Sequence, residues 1–140
     1  MSSSNLLIDS PEHPLATVTN RAIESVDLKI LRSFDEAQEE GESDFVLELI
    51  NLYLNEVPRL FSAIREAIAK DDWPSIKRAA HSVRGSSSNL GILQIAVIAG
   101  ALEQLAANQH APVGQLLLSL QDEFTRVEKI LSAERQRRTV

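Results

Sequence analysis

Apolar residues recur every three or four positions along most of this 140-residue chain, and no stretch shows the apolar–polar alternation of a half-buried strand. The longest apolar stripe runs from Val46 to Ile68 and comes close to a heptad pattern. A helix with such a face is stabilised mainly by packing against other helices. Only five glycines and five prolines interrupt the chain. The sequence therefore predicts an all-α protein.

Capping residues divide this pattern into one short helix and four long ones. Gly91 is predicted to end the third helix, residues 92–107 form the fourth, and NQHAPVG precedes the last. Side chains that can cap a first turn stand at Asp27, at Ser43 or Asp44, and at Asp71 or Asp72. Long helices joined by short loops predict an antiparallel four-helix bundle, here with an extra short N-terminal helix.

The predicted bundle domain covers residues 25–136. Residues 1–24 mix serine, threonine and proline without sustained periodicity, which predicts a flexible tail. Residues 137–140 are predicted to fray. Pro58 lies inside the second helix pattern, where we expect a kink and not a stop. Three arginines are expected to complement the negative end of the last helix, namely Arg135, Arg137 and Arg138.

Charge and composition exclude several classes of function. The formal net charge of −6 argues against a general nucleic-acid binder. No apolar run reaches the roughly 18 residues that span a bilayer, and the N-terminus lacks a basic region followed by an apolar one. Cysteine is absent, and His13 and His110 have no partner at metal-ligand spacing. We therefore expect a soluble, cytoplasmic, monomeric protein without a metal or cofactor of its own.

The stretch RAAHSVRGSSSNLG, residues 78–91, surrounds one histidine with poor helix formers. On a helical projection, His81 lies about 160° from Val83, which belongs to the apolar stripe, so the histidine is predicted to face solvent. Gly85 leaves a bare patch beside the imidazole, although glycine costs a helix interior about 1 kcal/mol. Ser86 and Ser87 flank the stripe as small residues where helices approach.

Basic residues accompany His81 on the same side of the helix. Lys77 and Arg78 lie one turn before it and Arg84 one turn after it, which makes a basic ridge on an acidic protein. A neutral imidazole is a nucleophile near pH 7 and can accept a phosphoryl group, whose charge these three cations could neutralise. The chain has no glycine-rich phosphate loop and no acidic cluster beside His81 to hold magnesium. We therefore expect another protein to donate the phosphoryl group, and no kinase activity in this chain.

The stretch DDWPSIKRAAHSVRGSSSNLG, followed by LEQL, resembles the histidine-phosphotransfer (HPt) domain of multistep phosphorelays. The signature of that family places alanine before the histidine, a basic residue three positions after it, glycine four positions after it, and a further glycine. Upstream, FVLELINLYLNEVPRLFSAI fits the same family, so the resemblance covers residues 27–131.

The resemblance implies a role for each matching residue. His81 matches the phosphorylated histidine, and Arg84 stands where lysine is commoner, with the same positive charge. Gly85 matches the glycine that clears room for a receiver domain, and Ser88 is assigned to the same docking surface. Gly91 matches the helix-ending glycine. The implied partners are response-regulator receiver domains, which would carry Mg²⁺, and a sensor histidine kinase, including the hybrid type.

Two functions remain open at this point. One is a phosphoryl carrier between receiver aspartates; the other is an interaction module that binds a receiver or a kinase without carrying phosphate. A lone exposed histidine is usually only a solvated residue, but the basic ridge and Gly85 favour the carrier. A di-iron bundle would need Glu-x-x-His pairs, and position 78 is arginine. The DFVLEL segment, residues 44–49, is either core or part of a docking surface.

Overall fold

The computed structural model describes residues 23–109 and 112–139, and all regular structure in these ranges is helical. The helices are α1 (Leu28–Ser33), a 3₁₀ helix (Phe34–Ala37), α2 (Phe45–Ala69), α3 (Trp73–Asn89), α4 (Leu93–Ala107) and α5 (Val113–Arg138). The four long helices pack in a closed ring, α2 on α3, α3 on α4, α4 on α5 and α5 on α2. Short connections make ring neighbours antiparallel, so the predicted four-helix bundle with a short additional N-terminal helix is confirmed.

Aliphatic side chains fill the core, as the predicted stripes require. Val46, Ile50 and Ile64 of α2 are fully buried, and each such side chain contributes about 1.5–3 kcal/mol of hydrophobic stabilisation. The aromatic contribution is small and local: the ring of Phe124 lies 5.7 Å from that of Phe61, edge to face. The helix α2 continues through Pro58, so this proline does not end the helix.

Aspartate side chains cap the N-termini of three helices. Asp27 accepts a hydrogen bond from the backbone N–H of Lys29, at 3.0 Å. Asp44, and not Ser43, begins α2. Asp72 begins α3, and Pro74 follows in its first turn.

Gly91 joins α3 to α4 in a conformation that few other residues adopt. Its φ is +78°, in the left-handed region, and a Cβ there would lie 2.8 Å from both the carbonyl oxygen of Asp27 and the Cβ of Ile30. The carbonyl of Gly91 accepts a hydrogen bond from the N–H of Asp27, at 2.7 Å. The glycine therefore ends α3, as predicted, and also admits α1 against the α3–α4 turn.

The last turn of α5 is connected to the rest of the fold by its side chains. The helix α5 continues to Arg138, two residues past the predicted end of the domain, and the side chain of Arg138 is only 8% exposed. Arg138 forms ion pairs with Asp35 and Asp44, which are distant in the sequence and which a local reading of a basic terminus cannot show. No described helix is both long and apolar enough to cross a membrane. His13, His110 and nearly all of the predicted tail lie outside the described residues.

Candidate functional site

His81 stands in the middle of α3 with its side chain 62% exposed. Ala80, Val83 and Ser87 form the buried side of the same helix. The predicted orientation of the histidine is therefore confirmed. Its ring is open to an approaching protein while the helix beneath it is fixed by the core.

Glu103 of α4 reaches the histidine from the neighbouring helix. Its Oε2 lies 2.9 Å from Nδ1 of His81, and its Oε1 accepts a hydrogen bond from Nε of Arg84, at 2.8 Å. Nη2 of Arg84 is also 3.0 Å from Nδ1 of His81. Burial opposes ionisation of Glu103, but the hydrogen bonds from Arg84 and His81 outweigh it and hold its pKa below the usual value. The three side chains thus form one hydrogen-bonded group.

Gly100 gives Arg84 the room to reach this position. A Cβ at Gly100 would lie 3.2 Å from Cδ of Arg84, which is closer than most real contacts. The aliphatic part of the Arg84 side chain therefore crosses α4 at Gly100, which has no side chain. Gly100 thus permits close approach of a side chain from the neighbouring helix.

The remaining basic residues of the ridge do not join the group. Arg78 donates from Nη2 to Oγ of Ser75, at 2.9 Å, and Ser75 is itself bonded to the cap residue Asp72. Within the described chain, neither Lys77 nor Arg78 forms a hydrogen bond or ion pair with His81. Both are exposed, so the ridge is a surface of positive charge and only Arg84 contacts the histidine.

Gly85 and Ser88 lie on the exposed side of α3. A Cβ built on Gly85 would meet no atom within 4 Å, so no neighbouring helix requires glycine there. Ser88 donates from Oγ to the carbonyl of Arg84, at 2.8 Å, and is otherwise open. Around α3, Arg84 lies on the α4 side of His81, whereas Gly85 lies on the α2 side, next to Ser86.

An apolar groove begins on that α2 side. Leu52 is 61% exposed and is the most open apolar residue in it. The DFVLEL segment is divided, because Val46 belongs to the core while Leu49 faces the groove. The groove residues, contributed by the 3₁₀ helix, α2 and α3, are Phe34, Leu49, Leu52, Tyr53, Glu56, Ser86, Asn89 and Leu90.

A buried hydrogen bond joins the groove to α3. The hydroxyls of Tyr53 and Ser87 are 2.7 Å apart, and Ser87 is fully buried. Burial raises the pKa of Tyr53 well above its usual value. Ser87 is thus a small residue at a helix contact, as predicted, with a polar partner that the sequence did not reveal.

Metal binding finds no support in the described part of the chain. Residues 23–109 and 112–139 contain no group of three or more histidine, aspartate or glutamate side chains that could hold a metal ion. Glu103, the carboxylate beside His81, is already engaged by Arg84.

Comparisons with known proteins agree with this arrangement. The family model of the Hpt domain matches residues 48–130, which is more than half of the chain and includes His81, Arg84 and Glu103. The histidine-containing phosphotransfer protein B (HptB) from Pseudomonas aeruginosa PAO1 has a similar fold, with a TM-score of 0.74 and 24% sequence identity. That match covers 81% of this chain and 96% of HptB. No curated protein sequence matches the chain. This chain therefore belongs to the Hpt-domain family, whose role is histidine phosphotransfer in two-component phosphorelays.

Proposed function

We propose that this chain is a phosphorelay intermediate in which His81 accepts a phosphoryl group from the aspartyl phosphate of one receiver domain and passes it to the aspartate of another. The observation that carries the proposal is an exposed imidazole whose Nδ1 is held by Glu103 while Nε2 has no hydrogen-bond partner among the described residues. A merely solvated histidine would not need a carboxylate from the adjacent helix.

The contacts of Nδ1 select one tautomer of His81. Nδ1 cannot donate to Glu103 and accept from Arg84 at the same time, and arginine can only donate. An unprotonated Nδ1 would direct its lone pair at the ionised Glu103, 2.9 Å away, which is electrostatically unfavourable. Nδ1 therefore carries the proton, and the lone pair is on the exposed Nε2.

This tautomer is suited to in-line phosphoryl transfer. The Nε2 lone pair forms a bond to phosphorus while the bond between phosphorus and the aspartate oxygen of the receiver breaks, and the aspartate leaves as a carboxylate. Nδ1 keeps its proton, and Glu103 stabilises the positive ring that results. The second transfer is the reverse reaction with the carboxylate of another receiver. The chain acts as a carrier, and Mg²⁺ would be held by the receiver domains.

Arg84 has donors left for the phosphoryl group. Nε of Arg84 donates to Glu103, and the guanidinium of Arg84 carries further N–H groups at its exposed end. We assign Arg84 to the neutralisation of phosphoryl oxygens near Nε2. Lys77 and Arg78, which do not contact His81, would contribute at longer range by attracting the acidic phosphorylation site of a receiver.

The receiver would dock on the α2 side of His81. Gly85 offers an unobstructed surface there, with Ser88 beside it, and the apolar groove around Leu52 continues from this point. A receiver placed over Gly85 can bury apolar surface in the groove while its aspartate faces Nε2. This continuity favours a receiver as the partner that covers the groove, with a sensor kinase supplying phosphate through its own receiver.

Transfer from a phosphorylated receiver tests the proposal. Wild-type protein and the His81→Gln variant are each incubated with labelled receiver domains, and labelled protein is then treated with acid or alkali. We expect label on the wild type only, lost in acid and retained in alkali, as for phosphohistidine. Label on His81→Gln, or label that survives acid as phosphoserine does, would contradict it. Receiver binding without any transfer to wild type would favour the interaction module.

A further inference from the structure

A group of charged residues joins the last turns of α5 to the N-terminal part of the fold. Glu134 is 3% exposed and is surrounded by arginines: Arg32 at 2.8 Å, Arg137 at 2.6 Å and Arg138 at 3.0 Å. Hydrogen bonds from these arginines hold the pKa of Glu134 far below its usual value, although burial opposes this. We refer to six residues together as the C-terminal ion cluster: Arg32, Asp35, Asp44, Glu134, Arg137 and Arg138.

Arg138 connects three separate elements within this cluster. Besides Glu134 on its own helix, it pairs with Asp35 of the 3₁₀ helix at 2.9 Å and with Asp44, which caps α2, at 3.0 Å. Its side chain is 8% exposed, so removing it would take one partner from the buried Glu134 and from the more exposed Asp35 and Asp44. The position of the 3₁₀ helix therefore depends on the last turn of the chain.

The same 3₁₀ helix supplies a wall of the groove. Phe34 lies next to Asp35, lines the groove and packs edge to face on Phe45, with ring centres 6.1 Å apart. At its other end, the α1 segment is tied to the α3–α4 turn by the bond from Asp27 to Gly91. A six-residue helix is not stable in isolation, so the position of Phe34 depends on what holds this segment: these two attachments, the fully buried Leu31, and the hydrogen bond from the N–H of Phe45 to Gln38, at 2.8 Å.

We propose that Arg138 and Glu134 are positioning residues for receiver docking, because they hold the α1 and 3₁₀ segment that places Phe34 in the groove. This inference rests on the proposed function, in which the groove receives the receiver domain. Neither residue contacts His81 in the described structure, so their effect is expected in the affinity for the receiver and not in the reactivity of the imidazole.

The test compares Arg138→Gln with Arg135→Gln. Both variants lose one positive charge in the last turn of α5, but among the described residues the side chain of Arg135 makes only an exposed hydrogen bond to Asn51, at 3.1 Å. Three quantities are measured on the full chain: the Kd for the best receiver of the transfer assay, the rate at which phosphoramidate phosphorylates His81, and hydrogen exchange at the N–H groups of Leu31 and Gln38. Phosphoramidate is a small donor, so its rate reports His81 without docking.

We expect faster exchange and a higher Kd in Arg138→Gln, with an unchanged phosphoramidate rate and no change in Arg135→Gln. If Phe34 occupies its position in the groove for only about a tenth of the time in Arg138→Gln, the Kd for the receiver rises about tenfold above that of the wild type. Asp35→Asn, which leaves Glu134 and Asp44 with Arg138, replaces Arg138→Gln if that variant does not fold.

Faster exchange with an unchanged Kd would overturn the inference and leave the cluster purely structural. Unchanged exchange would overturn it as well, because the segment would then not depend on Arg138. A wild type that phosphoramidate labels but no receiver binds would contradict the proposed function, and with it the docking role. In that case the exchange rates still show whether the cluster holds the segment.

Discussion

Glu103 orients His81 without adding net charge to the site, because Arg84 is bonded to the same carboxylate. An unpaired carboxylate this close to the histidine would repel the incoming phosphoryl group. An unpaired arginine would attract that group but could not hold the proton on Nδ1. The pair provides orientation and charge neutralisation together, which a ring of cations around the histidine would not.

Replacing Glu103 should slow phosphoryl transfer without unfolding the protein. We expect Glu103→Ala to lower the single-turnover rate by about tenfold to a hundredfold, the loss typical when a group that orients a metal-binding histidine is removed. Glu103→Gln should retain more activity, because its amide oxygen still accepts from Nδ1. Thermal unfolding should change little, since this ion pair is partly exposed. Wild-type rates in both variants would show that Glu103 has no part in the transfer.

The helices and their caps were accessible from the sequence because they depend on neighbours within a turn or two. Asp27, Asp44 and Asp72 bond to N–H groups two or three residues away. Exposure of His81 followed from helical geometry alone. These features need no knowledge of which helices are in contact.

Side-chain pairs between different helices could not be predicted from the sequence in the same way. Glu103 follows Gly91 by 12 residues and His81 precedes Gly91 by ten. An antiparallel helical hairpin that turns at Gly91 therefore brings Glu103 and His81 to similar positions along the bundle axis. That spacing was a usable signal for Glu103. For Arg138 the partners Asp35 and Asp44 are 103 and 94 residues away, and a basic helix end predicts only a favourable interaction with the helix dipole.

The surface of α3 over Gly85 should tolerate a side chain in the free protein but not in the complex. Gly85→Gln adds a better helix former where a Cβ meets no atom within 4 Å, so stability should rise by up to about 1 kcal/mol. Receiver binding and transfer should weaken, because the longer side chain occupies the docking surface. Thermal unfolding and a receiver titration measure both effects. A destabilised variant whose folded fraction binds normally would show that Gly85 is a packing residue.

Ionised carboxylates join the last turns of α5 to the α1 and 3₁₀ segment, and this makes the stability of the molecule depend on pH. Glu134 and Asp35 both have pKa values lowered in the folded state, by their hydrogen bonds to Arg32 and to Arg138, respectively. Each therefore stabilises the fold above its unfolded-state pKa, about 4.5 for glutamate and 3.8 for aspartate. That stabilisation is lost progressively as the pH falls toward the lower folded-state values.

Urea unfolding at pH 7 and pH 3 should show this loss as a lower midpoint in acid. Glu134→Gln should be less stable than wild type at pH 7, because three arginines lose their carboxylate, and its midpoint should fall less between the two pH values. A variant with the same pH dependence as wild type would show that Glu134 does not contribute to it.

Heteronuclear NMR of the ¹⁵N-labelled imidazole tests the account of His81 most directly, because it distinguishes the two ring nitrogens. Before phosphorylation, we predict that the neutral imidazole carries its proton on Nδ1 and none on Nε2. After transfer from a receiver, we predict a bond from phosphorus to Nε2 with the Nδ1 proton retained. Phosphorylation on Nδ1, or a spectrum of His81 unchanged by a phosphorylated receiver that labels the protein, would contradict the account.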